Sequence, residues 1–155
     1  MANKKMSTLD DAAYSYREAL EAIGLYFDQQ LYRSVFVAEV DDGYVGKARP
    51  AEEEADLHAE GFTFPFADVH TLVANVGGAT VEPPDGGPPH CPYGYAVFMR
   101  AAGAHCDRAG ACYVSVLELN NGFVLSYTVQ DGAGIERRRL MLDRIGIGEL
   151  LNEAE

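Results

Sequence analysis

The apolar residues of this chain follow first a helical period and then a strand period. In residues 10–31 apolar side chains recur at steps of three and four, which predicts an amphipathic helix. Residues 34–40 and 44–49 are short β-branched and aromatic runs with alternating faces, which predict a hairpin. A third strand at 62–66 and a helix at 67–76 follow. The first half is therefore predicted to run helix, strand, strand, strand, helix.

The same order of elements recurs in the second half of the chain. The stretch "VFVAEVDDGYVGKAR" at 35–49 matches "VSVLELNNGFVLSYT" at 114–128, 79 positions later. Further identities at this offset include Tyr16 with Tyr95, Gly24 with Gly103, Asp28 with Asp107, and Glu39 with Glu118. So many matches at one fixed spacing predict an internal duplication.

We therefore expect an α+β fold made by tandem duplication of a helix-strand-strand-strand-helix unit. Residues 1–77 form the first repeat, residues 78–92 a Gly/Pro-rich linker and residues 93–155 the second repeat. Two antiparallel three-stranded sheets of this size would be marginal as separate domains. We expect them to pack through a pseudo-twofold into one compact, pseudo-dimeric domain, with either their helices or their sheet faces buried against each other.

Repeated glycines and aspartates predict specific local geometry. Asp42-Gly43 and Asn121-Gly122 are typical of type I′ hairpin turns. A glycine inside a helix costs about 1 kcal/mol relative to alanine. The recurrence of Gly24 as Gly103 therefore predicts close backbone approach, either to the sheet or to the sister helix. The aspartates that correspond at 28 and 107 lie near helix C-termini, where the helix dipole disfavours them, so they predict capping or cross-element hydrogen bonds.

Charge and composition narrow the classes of partner. The net charge of −12 disfavours nucleic acids and anionic membrane surfaces, since both require basic side chains. No stretch reaches the length of an apolar membrane span, and the N-terminus does not resemble a secretory signal. We expect a cytoplasmic protein, and three cysteines in that setting predict reduced thiols.

Histidine and cysteine residues cluster in the second half but lack a metal-binding spacing. His90-Cys91, His105-Cys106 and Cys112 contain no C-x-x-C or H-x-x-x-H pattern. Cys106 lies on the apolar stripe of its helix, which predicts a buried thiol. A nucleophilic pair of His90 with Cys91 would need an orientation that sequence adjacency does not provide. We predict no catalytic residues, no metal site and no cofactor.

The two matching glutamates are the charged candidates for a site. Alternation places Glu39 with Val35 and Val37 on one strand face, and Glu118 is its counterpart. The two carboxylates could approach each other to bind a cation or share a proton, or they could lie in solvent beside the turns. A cleft between the repeats could also use His58 or His70.

The basic run Arg137-Arg138-Arg139 is the candidate partner patch. On a strand, Arg137 and Arg139 face one side and Arg138 the other. Their stems could cover apolar surface, and their charges could pair with the acidic run 52–54. Binding to a partner is the functional alternative.

The order of elements resembles two known classes of protein. It is similar to the core of many metal-dependent nucleases, but Lys47 lacks the acid two positions earlier that those sites use. It also resembles the small acidic chaperones of bacterial secretion systems, which implies protein binding. We expect a non-enzymatic protein-interaction module, acting as an adaptor, regulator or chaperone-like protein, that is a monomer or homodimer. The alternative is a small-molecule or metal-binding domain, or an enzyme of unknown type, using the cleft between the repeats.

Overall fold

In a computed structural model, the described residues of the two halves form four helices and six strands. The described residues are 15–30, 32–50, 60–76, 94–132 and 134–154. The elements are α1 Tyr16–Gln30, β1 Tyr32–Val40, β2 Gly43–Pro50, β3 Glu60–Pro65, α2 Phe66–Val76, α3 Tyr95–Ala109, β4 Cys112–Leu119, β5 Gly122–Asp131, β6 Gly134–Leu142 and α4 Arg144–Ala154. The predicted linker at 78–92, with His90 and Cys91, lies outside these residues, as do His58 and the acidic run at 52–54.

The α+β class is confirmed, and the sheet is larger than expected. The six strands form one antiparallel sheet in the order β3-β2-β1-β4-β5-β6. The two predicted three-stranded sheets are therefore joined, because β1 and β4 pair edge to edge with Val37 opposite Val116. This pairing satisfies backbone groups that would otherwise be exposed along two strand edges.

The four described helices share one face of this sheet. A single core cluster combines the apolar stripes of α1 and α3 with inward-facing strand residues such as Val35, Val37 and Leu125. Positions 10–14 and 31 of the first predicted helix, with Ala13 and Leu31 of its stripe, lie outside the described residues. The rest of the two stripes is confirmed, since the following residues are all buried: Tyr16, Leu20, Ile23, Phe27, Tyr95, Met99, Ala102 and Cys106. None of the described helices has the length and apolar character needed to cross a membrane.

The hairpins form where the sequence predicts them, with turns one residue earlier. Gly43 pairs with Val40 and Gly122 pairs with Leu119, so the turn residues are Asp41-Asp42 and Asn120-Asn121. None of these four has a positive φ, which excludes the predicted type I′ geometry. The glycines serve close strand packing instead, because a Cβ at Gly43 or Gly122 would overlap a carbonyl oxygen of the adjacent edge strand.

Two bulges interrupt the ladders near the start of β1 and of β4. Ser34 has a φ of 55° and Tyr113 a φ of 52°, both in the left-handed region. Register shifts accompany them, between Arg33 and Phe36 and between Cys112 and Ser115. A bulge leaves a backbone group outside the regular ladder, which then needs another partner. The carboxylates of Glu39 and Glu118 accept the hydrogen bonds of these backbone N–H groups.

Candidate functional site

Helix α1 contacts the first turn of α3 through two residues that lie one turn apart. Gly24 lies so close that a Cβ there would be 2.7 Å from the carbonyl oxygen of Tyr95 and 2.8 Å from the Cα of Ala96. The Asp28 carboxylate accepts hydrogen bonds from the N–H groups of Tyr95 (2.9 Å) and Ala96 (3.0 Å). Asp28 therefore caps a helix whose own N-cap residue, Gly94, has no side chain.

The corresponding contact runs in the opposite direction at the start of α1. A Cβ at Gly103 would be 2.7 Å from the Cα of Arg17 and would overlap backbone atoms of Tyr16. The Asp107 carboxylate accepts hydrogen bonds from the N–H groups of Tyr16 (3.0 Å) and Arg17 (3.1 Å). Each helix thus caps the other, and the repeated Gly and Asp residues have a role in holding the two halves together.

Burial gives Asp28 a pH dependence that can be measured. Desolvation raises the pKa of its carboxyl above the ordinary value of 3.8, against the opposing effect of the two N–H donors and of Arg33. The stabilisation associated with the raised pKa is complete below pH 3.8 and is lost as pH rises through the folded-state pKa.

Asparagine does not ionise, so Asp28→Asn should not show the loss of stability that Asp28 causes in the wild type as pH rises. Urea unfolding of both proteins from about pH 3.5 to 7 measures the difference in their free energies of unfolding, which should shift in favour of the variant as pH rises. A difference that stays constant over this range would contradict the raised pKa.

Glu39 is buried beneath the helices and accepts a backbone hydrogen bond beside the bulge at Tyr113. Its Oε1 accepts hydrogen bonds from the hydroxyl of Tyr16 (2.7 Å) and from the N–H of Val114 (3.1 Å), the residue after the bulge. Burial, followed by the nearby Glu39 carboxylate, raises the pKa of the Tyr16 hydroxyl, so that it stays protonated and donates. Glu39 therefore links its own helix to a strand of the other half.

Glu118 makes the corresponding bonds in a half-buried position. Its Oε1 accepts from the hydroxyl of Tyr95 (2.7 Å) and from the N–H of Val35 (3.0 Å), which follows the bulge at Ser34. The structure does not bring this carboxylate together with Glu39. Phe36 pairs with Leu117, Glu39 lies three positions from Phe36, and Glu118 lies one position from Leu117 in the opposite direction, so the two glutamates are four positions or about 13 Å apart along the strands. This spacing gives no support to a shared cation or a shared proton.

Of the histidine and cysteine candidates, the structure describes His70, His105, Cys106 and Cys112. Cys106 is buried and Cys112 is half-buried. His105 lies 3.0 Å from the Tyr127 hydroxyl and 3.5 Å from Glu153, and His70 is exposed on α2. Within the described ranges, no three His, Cys, Asp or Glu side chains form a group suited to a metal ion.

Two surface clefts are found in the second half. One, of about 310 Å³, lies beside His105 between β6 and α4, and the other, of about 260 Å³, lies at the β4–β5 turn beside Asn121. Neither cleft is lined by Glu39, Glu118 or His70.

The sheet face away from the helices presents an apolar strip. Register and alternation place Phe36, Leu117, Val124 and Met141 in one row across β1, β4, β5 and β6, on the side opposite the core. Leu117 is 41% exposed and Met141 66% exposed. The strip extends along the central strands to Ala38, Val40, Val45 and Leu119. We call this surface the open face.

Basic side chains flank the open face on both sides. Lys47 lies in the same row as Phe36, and Arg49 follows two positions later on β2. Arg137 and Arg139 lie on β6 opposite Thr128 and Ser126. Throughout the described part of the chain, none of these four cations forms an ion pair, and no strand position on this side is acidic.

The three arginines of the predicted patch do not share a face. Arg137 lies across the open face, where its guanidinium donates to the carbonyl oxygen of Tyr113 (2.9 Å) and to the hydroxyl of Thr128 (3.0 Å). Arg138 points to the helix side and lies 3.4 Å from Glu136. The sequence identifies the run, but Lys47 and Arg49 join it only through the strand order, which the local pattern does not contain.

Comparison of the chain with protein families, with curated proteins and with solved structures gives no match.

Proposed function

We propose that this chain is a non-enzymatic protein-interaction module, and that the open face binds a segment of another protein. The observation that carries this proposal is an exposed apolar strip between two pairs of cations, in a chain whose net charge is −12. Exposed apolar patches with a polar rim are typical of interaction sites. A partner segment with apolar side chains and carboxylates would be complementary to this surface.

The position of the cations supports binding over a purely structural role. Arginines on an edge strand also deter unwanted sheet pairing, and this would account for Arg137 and Arg139 on β6. Lys47 and Arg49 lie on β2, an inner strand, where edge protection gives no reason for them. Partner binding accounts for the cations on both strands, whereas edge protection accounts only for those on β6.

The residues that sequence analysis considered for chemistry have structural partners. Glu39 and Glu118 each accept from a tyrosine hydroxyl and a backbone N–H, and Asp28 and Asp107 cap helices. This supports an adaptor, regulator or chaperone-like role over the small-molecule, metal-binding or enzymatic alternatives.

We further propose that the two halves arose by tandem duplication and are related by a pseudo-twofold axis between Val37 and Val116. The reciprocal helix caps, the reciprocal glutamate bonds and the paired bulges support this relationship, because each contact recurs with its two partners exchanged. The arrangement resembles a homodimer fused into one chain.

Affinity capture from a cell lysate, with wild type and matched variants, tests the proposed function. The charge-reversal variant Lys47→Glu/Arg139→Glu changes one cation on each side of the open face. Arg100→Glu, exposed on α3 on the opposite side of the molecule, is the control. We expect a protein captured by wild type and by the control, with capture by the double variant reduced at least tenfold because like charges now face the partner.

Two outcomes would contradict the proposal. Equal capture by all three proteins would show that the open face is not the binding surface. If a panel of metabolites raises the melting temperature while no protein is captured, the small-molecule alternative is favoured instead. Circular dichroism and melting temperatures of the variants exclude unfolding as the cause of any loss.

A further inference from the structure

We infer that the segment bound on the open face is an amphipathic helix with acidic residues along both sides of its apolar stripe. This inference rests on the proposed function and specifies its partner. It follows from the dimensions of the apolar strip, the position of the cations and the layer order of the fold.

The strip has the width that a helix needs. The two strands that carry the cations, β2 and β6, are separated by β1, β4 and β5, so their backbones lie about 19 Å apart at the usual strand spacing. A helix with its side chains is about 10–12 Å in diameter. It can therefore lie on the strip while Lys and Arg side chains reach its flanks from both sides.

The strip also has the length of a short helix. Val40 lies four positions from Phe36, and Leu119 lies two positions from its partner Leu117 in the opposite direction, so the ends of the strip are six positions or about 20 Å apart. A helix of about 14 residues spans the same distance. An apolar stripe at three- and four-residue steps would cover Phe36, Leu117 and Val124, with carboxylates beside Lys47 and Arg139.

The architecture is that of a sheet with one face covered. The core side is packed with α1, α2, α3 and α4, while no described helix lies on the open face. Antiparallel sheets commonly leave one face in solvent, but here that face carries the apolar strip, which a partner helix would bury as a third layer.

Charge disfavours a second copy of this chain in face-to-face contact. A twofold pairing of two open faces would bring two sets of four cations together, without an acidic strand residue among those described to neutralise them. An extended segment would instead pair with a sheet edge and would leave the centre of the strip, at Phe36 and Leu117, uncovered.

Synthetic peptides test the inference. The first is a 14-residue peptide with a leucine stripe at helical spacing and glutamates on both sides of it. The second has the same composition, rearranged so that leucine and glutamate alternate as in a strand. The third keeps the helical pattern and replaces each glutamate by lysine. Fluorescence anisotropy measures the Kd of each labelled peptide for the full chain at 50 and 500 mM salt.

We expect the acidic helical peptide to bind at least tenfold more tightly than either control peptide. Its affinity should fall at least tenfold in Lys47→Glu/Arg139→Glu, change less than twofold in Arg100→Glu, and decrease at high salt. Circular dichroism of the complex should show a gain of helix in the peptide.

Other outcomes separate this inference from the proposed function. If the alternating peptide binds as tightly as the helical peptide or more tightly, the inference of a bound helix is wrong while the proposed function stands. The same holds if no peptide binds although lysate capture still depends on the open face. Stronger binding to vesicles of anionic phospholipid than to the peptide overturns it as well. Sedimentation that shows a dimer, lost in the double variant, would identify a second copy as the occupant. Loss of face-dependent capture itself would overturn the proposed function.

Discussion

The variant Gly24→Ala is expected to lower the free energy of unfolding by about 2 kcal/mol, although alanine is the better helix former. A Cβ at this position would lie within 2.9 Å of three backbone atoms in the first turn of α3. Backbone atoms cannot move away by changing rotamer, so the two helices must separate. Separation also lengthens the bonds from Asp28 to the same turn, and the cost therefore exceeds the gain of about 1 kcal/mol in helix propensity.

Gly148→Ala in α4 is the matched control for this prediction. It is also a helical glycine, but beyond its chain neighbours and the backbone of its own helix no described atom lies within 4 Å of the position that its Cβ would occupy. We expect this variant to be stabilised by about 1 kcal/mol, and Gly103→Ala to be destabilised to a similar extent as Gly24→Ala. Urea unfolding at neutral pH measures all three. Stabilisation of Gly24→Ala to the same degree as the control would show that the helices do not touch at this glycine.

The sequence predicts the elements well because their signals are local. Helical stripes, alternating strands and the turn residues near Gly43 and Gly122 depend on residues close in sequence. The turn itself was misplaced by one residue, since glycine is equally suited to a tight turn and to a close strand contact. Only the position of the neighbouring strand, through Phe64, distinguishes the two.

The sequence predicts that certain residues make contacts between elements, but it does not identify the elements that they contact. Recurrence identified Gly24 and Asp28 as residues that meet another part of the chain, and the structure shows that part to be the first turn of α3. The pairing of β1 with β4 has no local signal, because a strand edge carries the same backbone groups whichever strand it meets. The bulge at Tyr113 also has no local sequence signal, because an aromatic residue is typical of a regular strand.

The sequence predicts the arginine run as a candidate patch but gives no signal for the open face, for the same reason. Alternation correctly separates Arg137 and Arg139 from Arg138, because it needs no knowledge of other strands. The association of these arginines with Lys47 and Phe36 depends on strand order across both halves. A single sheet of six strands brings together residues about 90 positions apart in the chain, and no periodicity links them.

Replacement of the buried Glu39 by alanine is expected to lower the free energy of unfolding by about 3 kcal/mol. The change leaves the Tyr16 hydroxyl and the Val114 N–H without their acceptor, and burial keeps water from replacing it. An unsatisfied buried donor costs about 1–3 kcal/mol, and part of that cost is offset because no carboxylate is buried any longer. Glu39→Gln keeps an acceptor oxygen and should cost only about 1 kcal/mol.

Glu118→Ala provides the matched comparison for the buried site. Glu118 accepts from the same kinds of donor, Tyr95 and Val35, but it is half-buried, so water can replace the lost oxygen and we expect a cost of about 1 kcal/mol. A double-mutant cycle of Tyr16→Phe with Glu39→Ala, each of which removes the hydrogen bond, should give a coupling of about 1 kcal/mol. Costs below about 0.5 kcal/mol for both alanine variants would place these glutamates among ordinary surface residues. They would then not hold the bulged strand starts of one half against the other.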